Sequence, residues 1–192
     1  HRHNFRLEDV PAGELFFFFL RDPVERFVSG FYSRQRQGRP RHVSPWTSNE
    51  KSVFEVFTSA NDLAMALSAG DPELVECACH AMKSIKHIRS PYWYWFKDRD
   101  YFLSRTEGLL FVGFQHRLAE DFEILKEKLC LPSHIYLPED PVISHKNPGD
   151  CMIDLSQDAI ENLRNWYRLD YQFIDLCHRL VPNNLVEPQD ND

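Results

Sequence analysis

The chain has 192 residues, 43% of them hydrophobic and 27% charged, with 22 Lys+Arg against 29 Asp+Glu and a formal net charge of −7. That length and balance fit one compact domain, at most with a satellite subdomain, and exclude a disordered chain, a collagen-like repeat and a disulfide-stapled miniprotein. Charge is uneven: His1 to His42 holds eight arginines and five acids, 8 − 5 = +3, so the remainder carries −7 − 3 = −10; an acidic whole argues against general nucleic-acid binding, while its basic end suits a small anion or an acidic substrate.

In chain order, Glu14 to Leu20 ends in Phe and Leu without alternation, the pattern of a strand covered on both faces in a parallel sheet. Asp22 then supplies an N-cap, Pro23 suits the first helical position and Glu25 favours the helix dipole, so a helix is predicted to start abruptly and run to about Gln35. Gln37 to Asn49 reads as a loop. Lys51 to Phe57, Asn61 to Ser68 and Asp71 to His87 read as helices, the last opened by an Asp71-Pro72 cap. Tyr92 to Phe96 is an aromatic knot, Asp98 to Arg105 a short helix, and Gly108 to Phe114 a second buried strand. An amphipathic helix is expected from Arg117 to Leu129, a long loop from Pro132 to Asp150, and one long helix capped by Ser156 that ends at Leu180. Residues 182–192 read as a loose tail after a domain covering 1–181. The longest apolar run, Leu15 to Leu20, is too short to cross a bilayer, and no membrane segment is predicted.

Five cysteines, Cys77, Cys79, Cys130, Cys151 and Cys177, are odd in number and widely scattered, which favours free, mostly buried thiols in a reducing, cytoplasmic setting. Thiolate and imidazole make Cys77, Cys79 and His80 conceivable zinc ligands, but residues two apart on a helix face different ways. Core packing is the favoured reading, and no metal is expected.

Strand-then-helix units imply an α/β protein, a parallel sheet with flanking helices, and ligands in such sheets gather at the carboxyl ends of the strands. Arg21 occupies that edge. Its guanidinium can grip an oxyanion with two parallel hydrogen bonds, and Ser29, two helical turns later, can add a hydroxyl to the same anion.

The block Leu20-Arg21-Asp22-Pro23-Val24-Glu25-Arg26-Phe27-Val28-Ser29-Gly30-Phe31-Tyr32 resembles the 3′-phosphate-binding segment of sulfotransferases that use 3′-phosphoadenosine 5′-phosphosulfate (PAPS), above all those of the carbohydrate and membrane-associated branch. Phe111-Val112-Gly113-Phe114-Gln115-His116-Arg117-Leu118 is similar to a later strand and helix of that family, and the Asn-Pro-Gly stretch and terminal helix with Asp170-Tyr171 sit where its last elements would. The resemblance covers most of the chain, though only the Arg-to-Ser block is highly specific. It implies a P-loop-NTPase-like sulfotransferase fold, PAPS as co-substrate with Arg21 and Ser29 on its 3′-phosphate, and sulfuryl transfer to an acceptor hydroxyl, expected to be that of a carbohydrate. It also implies His3, with His1 second, as general base, since an imidazole can accept and release a proton near neutrality. Lys146 and Asn147 would then close over the nucleotide; an ordinary polar loop is the other reading of that stretch.

No Gly-rich phosphate loop followed by Lys occurs in these residues. The expectation is therefore an N-terminally truncated sulfotransferase domain that lacks the 5′-phosphosulfate half of the donor site and can be inactive alone. Two alternatives stay open: a catalytically inactive nucleotide-binding or interaction module, and a nucleotide kinase-like enzyme. Family members working in the Golgi lumen keep that compartment open beside the cytoplasm. Arg34, Arg36, Arg39 and Arg41 line an acceptor groove for an acidic sugar, help the phosphate pocket, or form a solvated helix end and loop. Tyr92, Trp93, Tyr94 and Trp95 are read as packing rather than as a sugar platform, because consecutive aromatics face different ways. Arg26 is expected to pair with a carboxylate in the fold and ranks below Arg21 as an anion ligand.

Overall fold

A computed structural model describes residues 5–140 and 155–180. Two strands, β1 (Phe16–Leu20) and β2 (Leu109–Phe114), accompany nine helices among the described residues: α1 (Pro23–Gln35), α2 (Ser48–Val56), α3 (Ala60–Ala66), α4 (Pro72–Ser84), α5 (Trp93–Phe96), α6 (Arg99–Ser104), α7 (Leu118–Lys128), α8 (Gln157–Trp166) and α9 (Arg168–Leu180). The protein is mixed α/β, predominantly helical, with a small parallel sheet. It divides into two compact units, one from 1–20, 92–131 and 169–192, the other from 21–91 and 132–168.

The first unit is organised by the sheet. β1 and β2 run parallel, with a bulge between Phe16 and Phe17 and then a register from Phe17↔Phe111 to Leu20↔Phe114. Phe16, Leu20 and Val112 enter a core with Phe96, Phe102 and Phe173. Phe173 is its hub, with ring centroids 4.6 Å from Phe96, 4.7 Å from Trp93 and 5.1 Å from Phe102. Offset and edge-on aromatic contacts of this kind add to the area they bury. Asp170, 1% exposed, receives the Tyr92 N–H at 2.9 Å, so the aromatic knot is tied to α9 by a fully buried bond. A Cβ on Gly113 would overlap the Phe19 ring, which would have to move to admit it. The expected burial of β1 on both faces is corrected at Phe17, which is 46% exposed: α7 packs on β2, and the described sheet is only two strands wide.

The second unit is helical. α3 packs on α4 and α8, α2 on α4, and α1 on α3 and α8. Each helix start has a local chemical cause. Thr47 and Glu50 form a reciprocal capping box that opens α2 three residues before the predicted Lys51, while Ser59, Asp71 and Ser156 cap α3, α4 and α8. The single helix expected from Ser156 to Leu180 is two helices, broken at Tyr167 (φ −94°, ψ 19°), whose hydroxyl donates to the Ile88 carbonyl at 3.1 Å. That backbone geometry lies outside the helical well, and a buried tertiary hydrogen bond holds it there.

Of the four described cysteines, all are free, but Cys77 and Cys130 are exposed, Cys79 is half-buried and only Cys177 is buried, which corrects the expectation of mostly buried thiols. Burial pushes the Cys177 thiol up to about 12, so it stays protonated as a core residue. Cys151 lies outside the described residues, as does the 182–192 tail. No described helix is long and apolar enough to cross a membrane.

Candidate anion-binding site

Leu20 ends β1 with 2% of its surface exposed, and Arg21 follows at once, half-buried. Asp22 Oδ1 accepts the N–H groups of Val24 at 2.8 Å and Glu25 at 3.1 Å, and the Asp22 carbonyl accepts the Arg26 N–H at 2.8 Å. Pro23, with no N–H, fills the first helical position. Strand, cap and helix thus meet in three residues, as the sequence predicts, and backbone geometry sets Arg21 at the mouth of α1.

Along α1, Val24, Phe27, Val28, Phe31 and Arg34 are buried, whereas Glu25, Ser29, Ser33 and Arg36 follow the less buried side at helical spacing. Glu25 and Ser29, four residues apart, lie on one side of α1, and the Arg21 side chain reaches that side at Glu25. From Pro23 to Ser29 the helix rises six residues at 1.5 Å each, roughly 9 Å, and Arg21 lies two residues before its start. Arg21 Nε lies 3.6 Å from Glu25 Oε2, with the two side chains 32% and 40% exposed. A pair that long between partly exposed side chains is worth about 0–1 kcal/mol.

His3, Lys146 and Asn147 lie outside the described residues, as does His1. The remaining arginines separate into different roles. Arg34 does not line a groove: it is 1% exposed, its Nε and Nη2 donate to Glu50 at 2.7 and 2.9 Å, and it also holds the carbonyls of Ser44 and Pro45. Burial alone pushes the Glu50 carboxyl up, but the hydrogen bonds from Arg34 and from the Thr47 and Lys86 N–H groups outweigh it, leaving the carboxyl at about 2. Arg26 stacks over the Tyr167 ring at 5.1 Å. Within the aromatic knot, Tyr92 and Phe96 are core residues, and Tyr94, 36% exposed, carries the Arg6 guanidinium 4.1 Å from its ring centroid. Among the described residues no three His, Cys, Asp or Glu side chains are placed to hold a metal.

One pairing at the end of β2 escapes sequence reading. Asp121, 3% exposed, receives the Phe114 N–H at 2.6 Å and Arg117 Nη2 at 3.0 Å, fixing the turn that carries Gln115 and His116. The i, i+4 spacing of Arg117 and Asp121 is a signal for a surface helix pair, not for a buried turn anchor.

No family model, no curated protein and no solved structure matches the chain.

Proposed function

We propose that the chain is a sulfotransferase domain that moves a sulfuryl group from PAPS to an acceptor hydroxyl on a carbohydrate. The observation that carries the reading is the junction at Leu20–Asp22: a guanidinium stands directly after a parallel strand, and a capped helix raises Ser29 on the same side. The motif's resemblance to the donor's 3′-phosphate segment supplies the ligand.

In this reading Arg21 takes two oxygens of the 3′-phosphate through its fork and Ser29 donates its hydroxyl to a third. The acceptor hydroxyl oxygen bonds to sulfur while the bond from sulfur to the bridging oxygen of the donor's 5′-phosphate breaks. His3 takes the hydroxyl proton, and 3′-phosphoadenosine 5′-phosphate and a sulfate ester leave. Such in-line transfer depends chiefly on positioning and on donors aimed at the oxygens, so the donor's anchor matters as much as the base.

Calorimetric titration of 3′-phosphoadenosine 5′-phosphate against adenosine 5′-phosphate, which lacks the 3′-phosphate, tests the assignment. Charged hydrogen bonds of about 1.5–3 kcal/mol correspond to a roughly 10–100-fold preference for the 3′-phosphorylated nucleotide. Arg21→Ala abolishes that preference, and Ser29→Ala weakens it several-fold. Absence of binding, equal binding of both nucleotides, or a preference that survives Arg21→Ala defeats the reading.

A further inference from the structure

The face where α2, α3, α4 and the start of α8 come together carries two clefts, both within the helical unit. The first, about 730 Å³, has an apolar floor that includes Phe57, Met65 and Leu74 and a rim of Asp62, Asp158 and Glu161. The second, about 390 Å³, lies between α2 and α4 over Val53, with Glu73 and Glu76 at its edge. Val56, 54% exposed at the end of α2, borders both.

All five carboxylates are exposed. Asp62, Glu73 and Asp158 sit in the first turns of their helices, where a negative charge answers the helix dipole, but Glu76 and Glu161 lie further along and have no such cause. Among the described residues none of the five takes part in an ion pair, and no Lys or Arg lines either cleft. The walls are fixed by the fold itself. The Ser156 N–H donates to Asn61 Oδ1 at 2.9 Å, Asn162 Nδ2 donates to the Ala64 carbonyl at 3.0 Å and to Ser68 Oγ at 2.8 Å, and the Ser156 hydroxyl meets Met65 Sδ at 3.0 Å, so α8 is joined to α3 along the first cleft. The Phe57 N–H closes the end of α2 on the Val53 carbonyl at 2.9 Å. Ordering settled during folding need not be repeated on binding.

We propose that this face docks a basic amphipathic helix of a partner protein, its apolar side chains entering the two clefts beside Val56 and its Lys and Arg side chains meeting the five carboxylates. The inference stands apart from the donor-site reading and uses none of its residues. A helix laid in a groove anchors through apolar side chains one turn or two apart, which suits neighbouring clefts that share an exposed valine. Charge complementarity selects the partner's sign: Asp62, Asp158, Glu161, Glu73 and Glu76 attract a cation, while nucleic acid and anionic membranes bring charge of the same sign and are repelled. A small polyamine would answer the carboxylates but leave Val53, Val56 and the floor of the first cleft uncovered, so the apolar surface calls for a partner with apolar side chains of its own.

Fluorescence anisotropy of a labelled Leu/Lys peptide of roughly 18 residues, about 27 Å of helix, with its leucines on one face, tests this on the whole chain at low and high salt. Saturable binding that weakens with salt is expected, and a scrambled peptide of the same composition, with no apolar face, is expected to bind roughly tenfold or more weakly. Glu76→Lys combined with Glu161→Lys sets like charges against the peptide and is expected to weaken binding roughly tenfold or more with unchanged thermal unfolding. Val56→Asp separates charge from shape: it adds a carboxylate, so attraction by charge alone would tighten the complex, whereas loss of the apolar contact loosens it several-fold. The proposal is overturned by absence of binding, by equal affinity for the scrambled peptide, by undiminished affinity in the double variant or in Val56→Asp, or by self-association of the free chain that Val56→Asp abolishes, which would give the face to a second copy.

Discussion

Arg34 and Glu50 show how far one residue pair can organise a fold. Glu50 is fully buried and caps its own helix, binds Arg34 twice and receives the Lys86 N–H at 3.1 Å, so α1, α2 and the end of α4 share a single carboxylate. Removing one member of such a pair strands the other charge, at a cost of about 3–5 kcal/mol. Glu50→Gln should lower the urea midpoint accordingly, and a loss below about 1 kcal/mol would deny the pair its structural role. The pH dependence has a definite sign. The folded carboxyl sits at about 2 against an ordinary 4.5, so its contribution is complete above pH 4.5 and disappears as pH falls toward 2. A shift of that size is worth about 3 kcal/mol; acid titration of wild type should show this loss, and Glu50→Gln should flatten it. None of this was legible in the sequence. Thr47-x-x-Glu50 carries a capping signature, but sixteen residues separate Arg34 from Glu50 and no local spacing joins them. The readings of Arg34 as a groove residue and as part of a solvated helix end failed for that reason, whereas the position of Arg21 follows from strand, cap and proline in succession.

α1, announced by its own cap, was read well, whereas α2 opens three residues before its expected start and the break after α8 depends on tertiary contact. α1 ends at Gln35 as predicted because cap, proline and periodic apolar face all lie within the segment. The split between α8 and α9 was hidden, since the helical pattern continues through Tyr167 and only the distant Ile88 carbonyl reveals the break. α1 also depends on close approach: a Cβ on Gly30 would stand 2.5 Å from Ile88 Cγ2 and 3.3 Å from His87 Cβ, and Ile88 is 1% exposed. Gly30→Ala gains up to about 1 kcal/mol of helix propensity and forces a methyl into a filled space, which typically costs about 1–3 kcal/mol. A net loss of stability is therefore expected in chemical denaturation, with the m-value unchanged. A stabilised Gly30→Ala variant would mean that the helix and the 87–88 segment are not packed this tightly.

At the scale of the molecule, the first unit draws its core from three separated stretches of chain, with Leu7 and Phe16 from the beginning, Phe96, Phe102 and Val112 from the middle, and Phe173, Leu176 and Cys177 near the end. Apolar runs in the sequence signalled each stretch, but their convergence is set by long-range packing, which no periodicity records. Closing such distant contacts costs loop entropy before burial repays it, so this core should form as a unit or not at all. Two variants test that coupling. Phe173→Ala removes the ring that touches Phe96, Trp93 and Phe102 and is expected to cost about 3–5 kcal/mol. Ending the chain after Arg168 deletes Phe173 together with Leu176, Cys177 and the Asp170 carboxylate that holds the Tyr92 N–H. With that support gone, Trp93 and Trp95 meet water: their fluorescence should shift to the red and their near-ultraviolet dichroism collapse, even though both lie more than seventy residues upstream. Native tryptophan spectra in the shortened chain would show that the middle stretch holds its core without the last helix, and the hub assigned to Phe173 would have to be given up.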